Sequence, residues 1–276
     1  MFGWGYPKHG RLGLGTHPAS DSKHSPATSA AAGAESWGHR IEEAERFVAQ
    51  SMEEEQDVHL EWEPLQVVSL GGLQVKQLAC GMDHSLALCG EPAGTMHPVM
   101  HGPILSASLM GAGDGTLMCF GDNGMHQLGL APNVDYHCLP VQIPALNVAQ
   151  VACGLGHSLA LTNQHSSAIF SWGDNMGGQL GTKGGGPLPV AGLEGLSIVK
   201  ISGGRVHSCA LTAEGEVWSW GSGRNGRLGQ GSSRDSPQPR AVEGLEGWRV
   251  VDLACGFDHT LLLVEERGGS SQECTT

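Results

Sequence analysis

An all-β repeat architecture is what this 276-residue sequence predicts, and three observations carry the expectation. An aromatic-glycine pair is followed eight residues later by Leu-Gly at four places: Trp4 to Leu12, Phe120 to Leu128, Trp172 to Leu180 and Trp220 to Leu228. A second element, CGMDHS at Cys80 to Ser85, returns as CGLGHS from Cys153, GGRVHS from Gly203 and CGFDHT from Cys255, with its histidines 73, 50 and 52 residues apart. Self-similarity at a period of roughly 50 residues marks a propeller, solenoid or array, in which each unit buries its core against its neighbours. The 43 glycines suit short strands joined by tight turns and argue against long helices.

Residues 1–16 carry only the later part of a unit, an aromatic-glycine strand with its Leu-Gly step. Residues 17–63 interrupt the repeat. Their first part, HPASDSKHSPATSAAAGAES, is small and polar and lacks the apolar surface to order itself, so a flexible loop is expected. From Ile41 the pattern changes: Ile41, Ala44, Val48 and Met52 follow helical spacing opposite Glu42, Glu43, Glu45 and Arg46, which predicts a short acidic amphipathic helix. Residues 64–140 form a unit with an internal insertion at 91–113, because 36 residues separate His84 from Phe120 where equivalent positions lie 15 and 13 apart. Met96, Met100 and Met110 give that insertion adaptable apolar surface, suited either to a partner or to a loop without fixed structure.

Residues 141–190 and 191–240 are the cleanest copies. In the second, Ile198 to Ile201 alternates as a half-buried strand, His207 to Leu211 is the next strand, and Ala213-Glu214-Gly215 is a hairpin turn. Glu216 to Trp220 returns, and a loop leads to the apolar step at Leu228, completing a four-stranded blade. Residues 241–266 hold only the earlier half of a unit, and 267–276 read as a disordered tail.

The alternation of CGxxHSLALT, SWGDNxxGQLG and a Pro-containing linker resembles the regulator-of-chromosome-condensation repeat family over Phe2 to Gly15, Leu65 to Cys89, Leu117 to Leu130 and almost all of Val141 to Val264. The resemblance implies a β-propeller, usually of seven blades, whereas this chain supplies about four blade equivalents, two of the contributions being halves. Two arrangements stay open. Phe2 to Gly15 and Val250 to Val264 complete one another in a closed four-blade ring, or the chain forms an open part of a seven-bladed propeller. Because the sequence starts directly on an aromatic-glycine strand, a shortened or partial family member is expected.

A net charge of −13 opposes direct binding to nucleic acid, which needs clustered Lys and Arg. Glu35 to Glu63 alone contributes ten acidic residues against Arg40 and Arg46. No run approaches the roughly 20 apolar residues that span a bilayer, and no basic-then-apolar leader opens the chain. A soluble intracellular protein, cytoplasmic and/or nuclear, is expected. Cys80, Cys153 and Cys255 occupy equivalent repeat positions in different units and read as buried reduced thiols.

Cys80 with His84, Cys153 with His157 and Cys255 with His259 share a spacing compatible with zinc, but Gly203 replaces the cysteine in one copy and separate blades do not readily converge on one ion. The expected role is a histidine bonding backbone at a blade turn beside a buried thiol. Gly221 to Gly226 matches G-x-G-x-x-G but leads to another turn rather than a helix. No nucleophile with a base and no carboxylate pair stands out. The sequence therefore assigns no catalytic, cofactor-binding or metal residues, no cofactor and no enzyme activity in the usual sense. Trp172 and Trp220 are expected to pack between blades.

Family members that sense UV-B carry a tryptophan within the CGxxHS element, where this sequence has Met82, Leu155, Arg205 and Phe257, so photoreception is disfavoured. The expected function is a protein-interaction scaffold or regulatory subunit. The resemblance also implies guanine nucleotide exchange on a small GTPase, with the insertion at 91–113 standing where a projecting wedge would act. The acidic stretch Glu42 to Glu63 motivates a further alternative, association with basic histones in chromatin. An open arc would self-associate through its exposed edges.

Overall fold

The computed structural model describes residues 1–5, 8–15, 61–90, 115–130, 134–162, 168–184 and 186–267. The helix expected from Ile41 to Met52, the insertion at 91–113, the turn at 163–167 and the tail from 268 lie outside them.

Strand β1 (Phe2–Gly5) pairs antiparallel with β2 (Glu61–Gln66) as a two-stranded half-blade. A complete blade follows from β3 (Gln74–Cys80), β4 (His84–Gly90), β5 (Gly115–Asp122) and the first part of β6 (Tyr136–Cys153). The second part of β6 opens the next blade, with β7 (His157–Thr162), β8 (Ile169–Gly173) and β9 (Leu188–Pro189). A separate four-stranded sheet holds β10 (Ile198–Gly203), β11 (His207–Thr212), β12 (Val217–Gly221) and β13 (Ser236–Ala241). Finally β14 (Trp248–Cys255) and β15 (Thr260–Glu266) form a second two-stranded sheet.

The fourth strand departs from the sequence reading. It is the proline-bearing segment Ser236–Ala241, not the apolar step at Leu228, that pairs with β12. Pro237 and Pro239 lie on an edge strand, where a missing N–H costs no ladder bond on the solvent side. Pro64 occupies the same kind of edge in β2, which begins at Glu61 and so runs across the boundary expected at residue 63.

Every residue of β4, β7 and β11 is buried, because these strands sit between neighbours in their own sheet and between the two flanking blades. That explains why HSLALT and HSCALT carry no Asp, Glu, Lys or Arg on either face of the strand. In β7, Leu159 and Leu161 enter one cluster with Ile198, Ile201 and Trp220 of the following blade, while Ala160 enters another with Leu86, Leu117 and Trp172. The core is thus a series of inter-blade layers.

The glycine after Phe120, Trp172 and Trp220 has a steric cause. Gly173 and Gly221 adopt φ of 104° and 108°, and a Cβ there would sit 2.6 Å from the carbonyl oxygens of Gly156 and Val206. The glycine of each CGxxH element is required differently: a Cβ on Gly81, Gly154, Gly204 or Gly256 would lie only 2.0–2.2 Å from Cε1 of the histidine three residues later.

Among the described residues, β15 pairs only with β14 and β1 only with β2. Of the two arrangements compatible with the sequence, the described strands form the open arc. Leu261, 65 % exposed, stands where Leu86 and Leu159 are fully buried, and Leu263 at 63 % shows the same loss of cover.

Candidate functional site

Each blade grips the next through one imidazole. His84 Nε2 lies 3.0 Å from Ser158 Oγ, His157 Nε2 3.0 Å from Ser208 Oγ, and His207 Nε2 3.1 Å from Thr260 Oγ1. The acceptor is therefore the hydroxyl that follows the histidine in the next repeat, and not backbone as the sequence suggested. Hydroxyl geometry sets the tautomer. Ser158 Oγ donates to Gln127 O, Ser208 Oγ to Gln179 O and Thr260 Oγ1 to Arg227 O, so each hydroxyl has spent its proton and accepts from an Nε2–H. Burial holds the His84 imidazole neutral, lowering its pKa to about 4. His157 falls to about 3, again chiefly by burial, with His84 and His207 adding repulsion.

The same carbonyls anchor the tryptophans. Trp172 Nε1 donates to Gln127 O and Trp220 Nε1 to Gln179 O, both at 2.9 Å, so these buried indoles pack between blades as expected while satisfying their only donor. Phe120 fills that place one blade earlier with no donor to satisfy. The Asp-Asn and Gln-Leu-Gly residues build the loop itself: Gln179 Nε2 bonds Asp174 Oδ2 at 2.6 Å and Leu180 N donates to Asn175 Oδ1 at 3.0 Å.

A second contact series runs along one rim of the arc. Met82 N donates to Leu155 O at 3.1 Å, Leu155 N to Gly204 O at 3.2 Å and Arg205 N to Phe257 O at 3.3 Å. Backbone bonds thus string the variable residues of the CGxxHS elements, Met82, Leu155, Arg205 and Phe257, into a row. Phe257 is half exposed and the Arg205 guanidinium lies 4.6 Å from its ring centroid. Ion pairs accompany both ends of the row: Arg11 with Asp83, and Arg227 Nη1 with Asp258 Oδ1 at 3.0 Å.

The thiols are less uniform than their repeat positions suggest. Cys80 is exposed, whereas Cys89, Cys119 and Cys209 are buried. Burial pushes the Cys119 thiol up to about 12. Cys209 and Cys255 lie against one another: their mutual interaction holds Cys255 well below, and together with burial Cys209 well above, the usual thiol range. Cys209 was invisible as a candidate because it lies outside the CGxxHS element, yet it stands where Leu86, Leu159 and Leu261 occupy the other repeats. The partnership of Arg11 with Asp83 and Arg227 with Asp258 had a detectable signal, since both arginines precede Leu-Gly and both aspartates precede the histidine of the following unit.

The family model for the regulator of chromosome condensation (RCC1) repeat matches residues 114–161, 166–211 and 214–263, together more than half the chain. The chain belongs to this repeat family. A second model of the family matches 148–179 and 198–227. Among relatives, human HERC2, an E3 ubiquitin-protein ligase, is 32 % identical over 214 residues, covering 74 % of this chain and 4 % of that protein. Human HERC4, a probable E3 ubiquitin-protein ligase, is 34 % identical over 212 residues, 74 % of this chain and 18 % of its own length. The Ultraviolet-B receptor UVR8 of Arabidopsis thaliana is 37 % identical over 134 residues, 46 % of this chain and 30 % of the receptor. The chain thus spans less than a third of each of these relatives. The solved structure of human WBSCR16 superposes with a TM-score of 0.60 at 24 % identity, covering 77 % of this chain and 50 % of that one. Yeast RCC1 (Prp20), bound to Kap60, gives 0.56 at 21 %, with 75 % and 45 % covered. Both likenesses support the propeller fold of the family. Among the described residues no helix is long and apolar enough to cross a membrane.

Proposed function

We propose that this family member is a protein-interaction module whose binding face is the rim formed by Met82, Leu155, Arg205 and Phe257. The observation that supports the reading is that these residues change from repeat to repeat while the backbone holding them does not: each unit bonds the next through this loop. Such an arrangement fixes a scaffold and leaves its side chains free to specify a partner. Arg205, stacked over the Phe257 ring, is also of a residue type enriched where binding energy concentrates.

The test compares partner capture by the intact chain and by Arg205→Glu and Phe257→Asp variants with unchanged melting temperature. Loss of the partner in both variants supports the rim. Equal capture by all three overturns it and moves attention to residues 17–63 and 91–113. Guanine nucleotide exchange is distinguished in the same series: a captured small GTPase should bind most tightly without nucleotide, and its nucleotide release should accelerate. Histone binding that disappears on deleting Glu42 to Glu63 would instead assign the acidic stretch.

A further inference from the structure

The junction between the last complete blade and β14–β15 holds a side-chain group that the other junctions lack. Cys209 projects from the middle of β11, two residues beyond His207 and on the same face of the strand. Cys255 ends β14 in the neighbouring sheet, its Sγ 3.7 Å from Ser202 O and its backbone N bonded to Ser202 Oγ. A ring nitrogen of His207 and the sulfurs of Cys209 and Cys255 all lie within 4.8 Å of one another. Repeat-equivalent pairs at the two preceding junctions are Leu86 with Cys153 and Leu159 with Gly203, neither of which supplies two thiols.

We infer that His207, Cys209 and Cys255 form a zinc site that ties the terminal half-blade to the blade before it. Tetrahedral zinc with sulfur at about 2.3 Å and imidazole nitrogen at about 2.0 Å places its ligands roughly 3.5–3.8 Å apart, so spacings of up to 4.8 Å close by at most about 1.3 Å. A disulfide would bring the two sulfurs to about 2 Å and demands a larger movement within a packed layer. Thr260 Oγ1, 3.9 Å from Cys209 Sγ, borders the same space but is engaged with His207 Nε2 and Arg227 O, which leaves the fourth position to a water.

Charge favours the divalent ion. Binding releases two thiol protons, and Zn²⁺ with two thiolates and a neutral imidazole carries no net charge into a buried layer. Copper(I) in the same ligands would leave one negative charge there. Ligands at equivalent positions of separate repeats do not converge on one ion. Here two come from one strand, and only the third crosses the junction.

The experiment loads the reduced full chain with cobalt(II) as a spectroscopic probe and then displaces it with zinc. One equivalent of cobalt should give thiolate charge-transfer and tetrahedral d–d bands that one equivalent of zinc bleaches, and native mass spectrometry should show one retained zinc. Cys209→Leu combined with Cys255→Gly reproduces the Leu159 and Gly203 pairing already present in the chain, and should fold yet lose both signals. Cys255→Ser alone should weaken them, and Cys80→Ser should leave them intact. Zinc should raise the melting temperature of the unsubstituted chain and not of the double variant. Equal cobalt spectra in the unsubstituted chain and the double variant overturn the site. So does a Cys209–Cys255 disulfide in chain isolated without reductant, if the reduced chain then takes up no metal.

Discussion

Two blade junctions solve one problem with opposite chemistry. At Gln179 the side chain turns back on its own loop, Nε2 to Asp174 and Oε1 accepting from Gly177 N at 2.8 Å, and the next repeat presents the inert Val206. At the equivalent Arg227 the side chain reaches across instead, pairing with Asp258 of the next unit while its Nε donates to Arg224 O at 2.8 Å. Its own loop has Ser222 and Gly223 where Asp174 and Asn175 stand, so Asp235 from further along accepts from Ser222 Oγ and Gly223 N. A neutral residue before Leu-Gly is satisfied locally and leaves the following unit unconstrained. A buried arginine there obliges the following unit to supply an aspartate. Arg11 and Asp83 repeat the rule at the other end of the arc.

Acid should break the inner junctions first. His84 and His157 stay neutral in the fold down to about pH 4 and 3, whereas an unfolded imidazole takes up its proton near 6.5. The unfolded chain therefore binds more protons in this window, and the stabilisation present above pH 6.5 is lost as pH falls through it, by roughly 1.4 kcal/mol per pH unit for each imidazole. Melting temperatures measured from pH 7 to 5 should fall steadily, and His157→Asn should flatten the slope while lowering the plateau.

The outer junction is broken by charge. Asp258→Ala leaves Arg227, whose side chain is 2 % exposed, without its counter-ion and should cost about 2–3 kcal/mol in urea unfolding, the aspartate's own partial exposure keeping it below the cost of a fully buried pair. Arg227→Gln combined with Asp258→Val recreates the Gln179 and Val206 pairing and should recover most of that loss. Failure of the double variant would show that the two chemistries are not interchangeable.

Smaller effects sharpen the comparison. Trp220→Phe imposes the Phe120 solution on the later blade, loses one donor to Gln179 O and leaves a gap, and should cost about 2 kcal/mol by the same measurement. Ser208→Ala removes the acceptor of His157 Nε2–H and should cost about 1 kcal/mol. Lys200→Met, at the partly exposed pair with Asp252, should change stability by less than about 1 kcal/mol.

The repeat itself was legible because its motifs are steric. A glycine under each histidine ring and another at each positive-φ strand end leave no room for substitution, so they recur and betray the blade. The fourth strands were not legible, because an edge strand rich in proline, such as SPQPRA, carries no alternating pattern. Nor was the role of the serine after each histidine, since its partners come from other units: His157 bonds Ser208 from 51 residues away. The cluster at Cys209 and Cys255 was hidden for the same reason. One member lies inside the repeated motif and one outside, and only packing of adjacent sheets joins them.

Strand β6 runs unbroken for 18 residues and belongs to two blades, its early residues paired with β5 and its late ones with β7. The sheet it builds should open as a single cooperative unit, with amide protons on either side of it released to solvent together, because opening one blade frays the strand that holds the other. The last half-blade has no such splice, since residues 242–247 separate β13 from β14. Under tension or thermal stress β14–β15 should therefore separate before the sheet built on β6 opens.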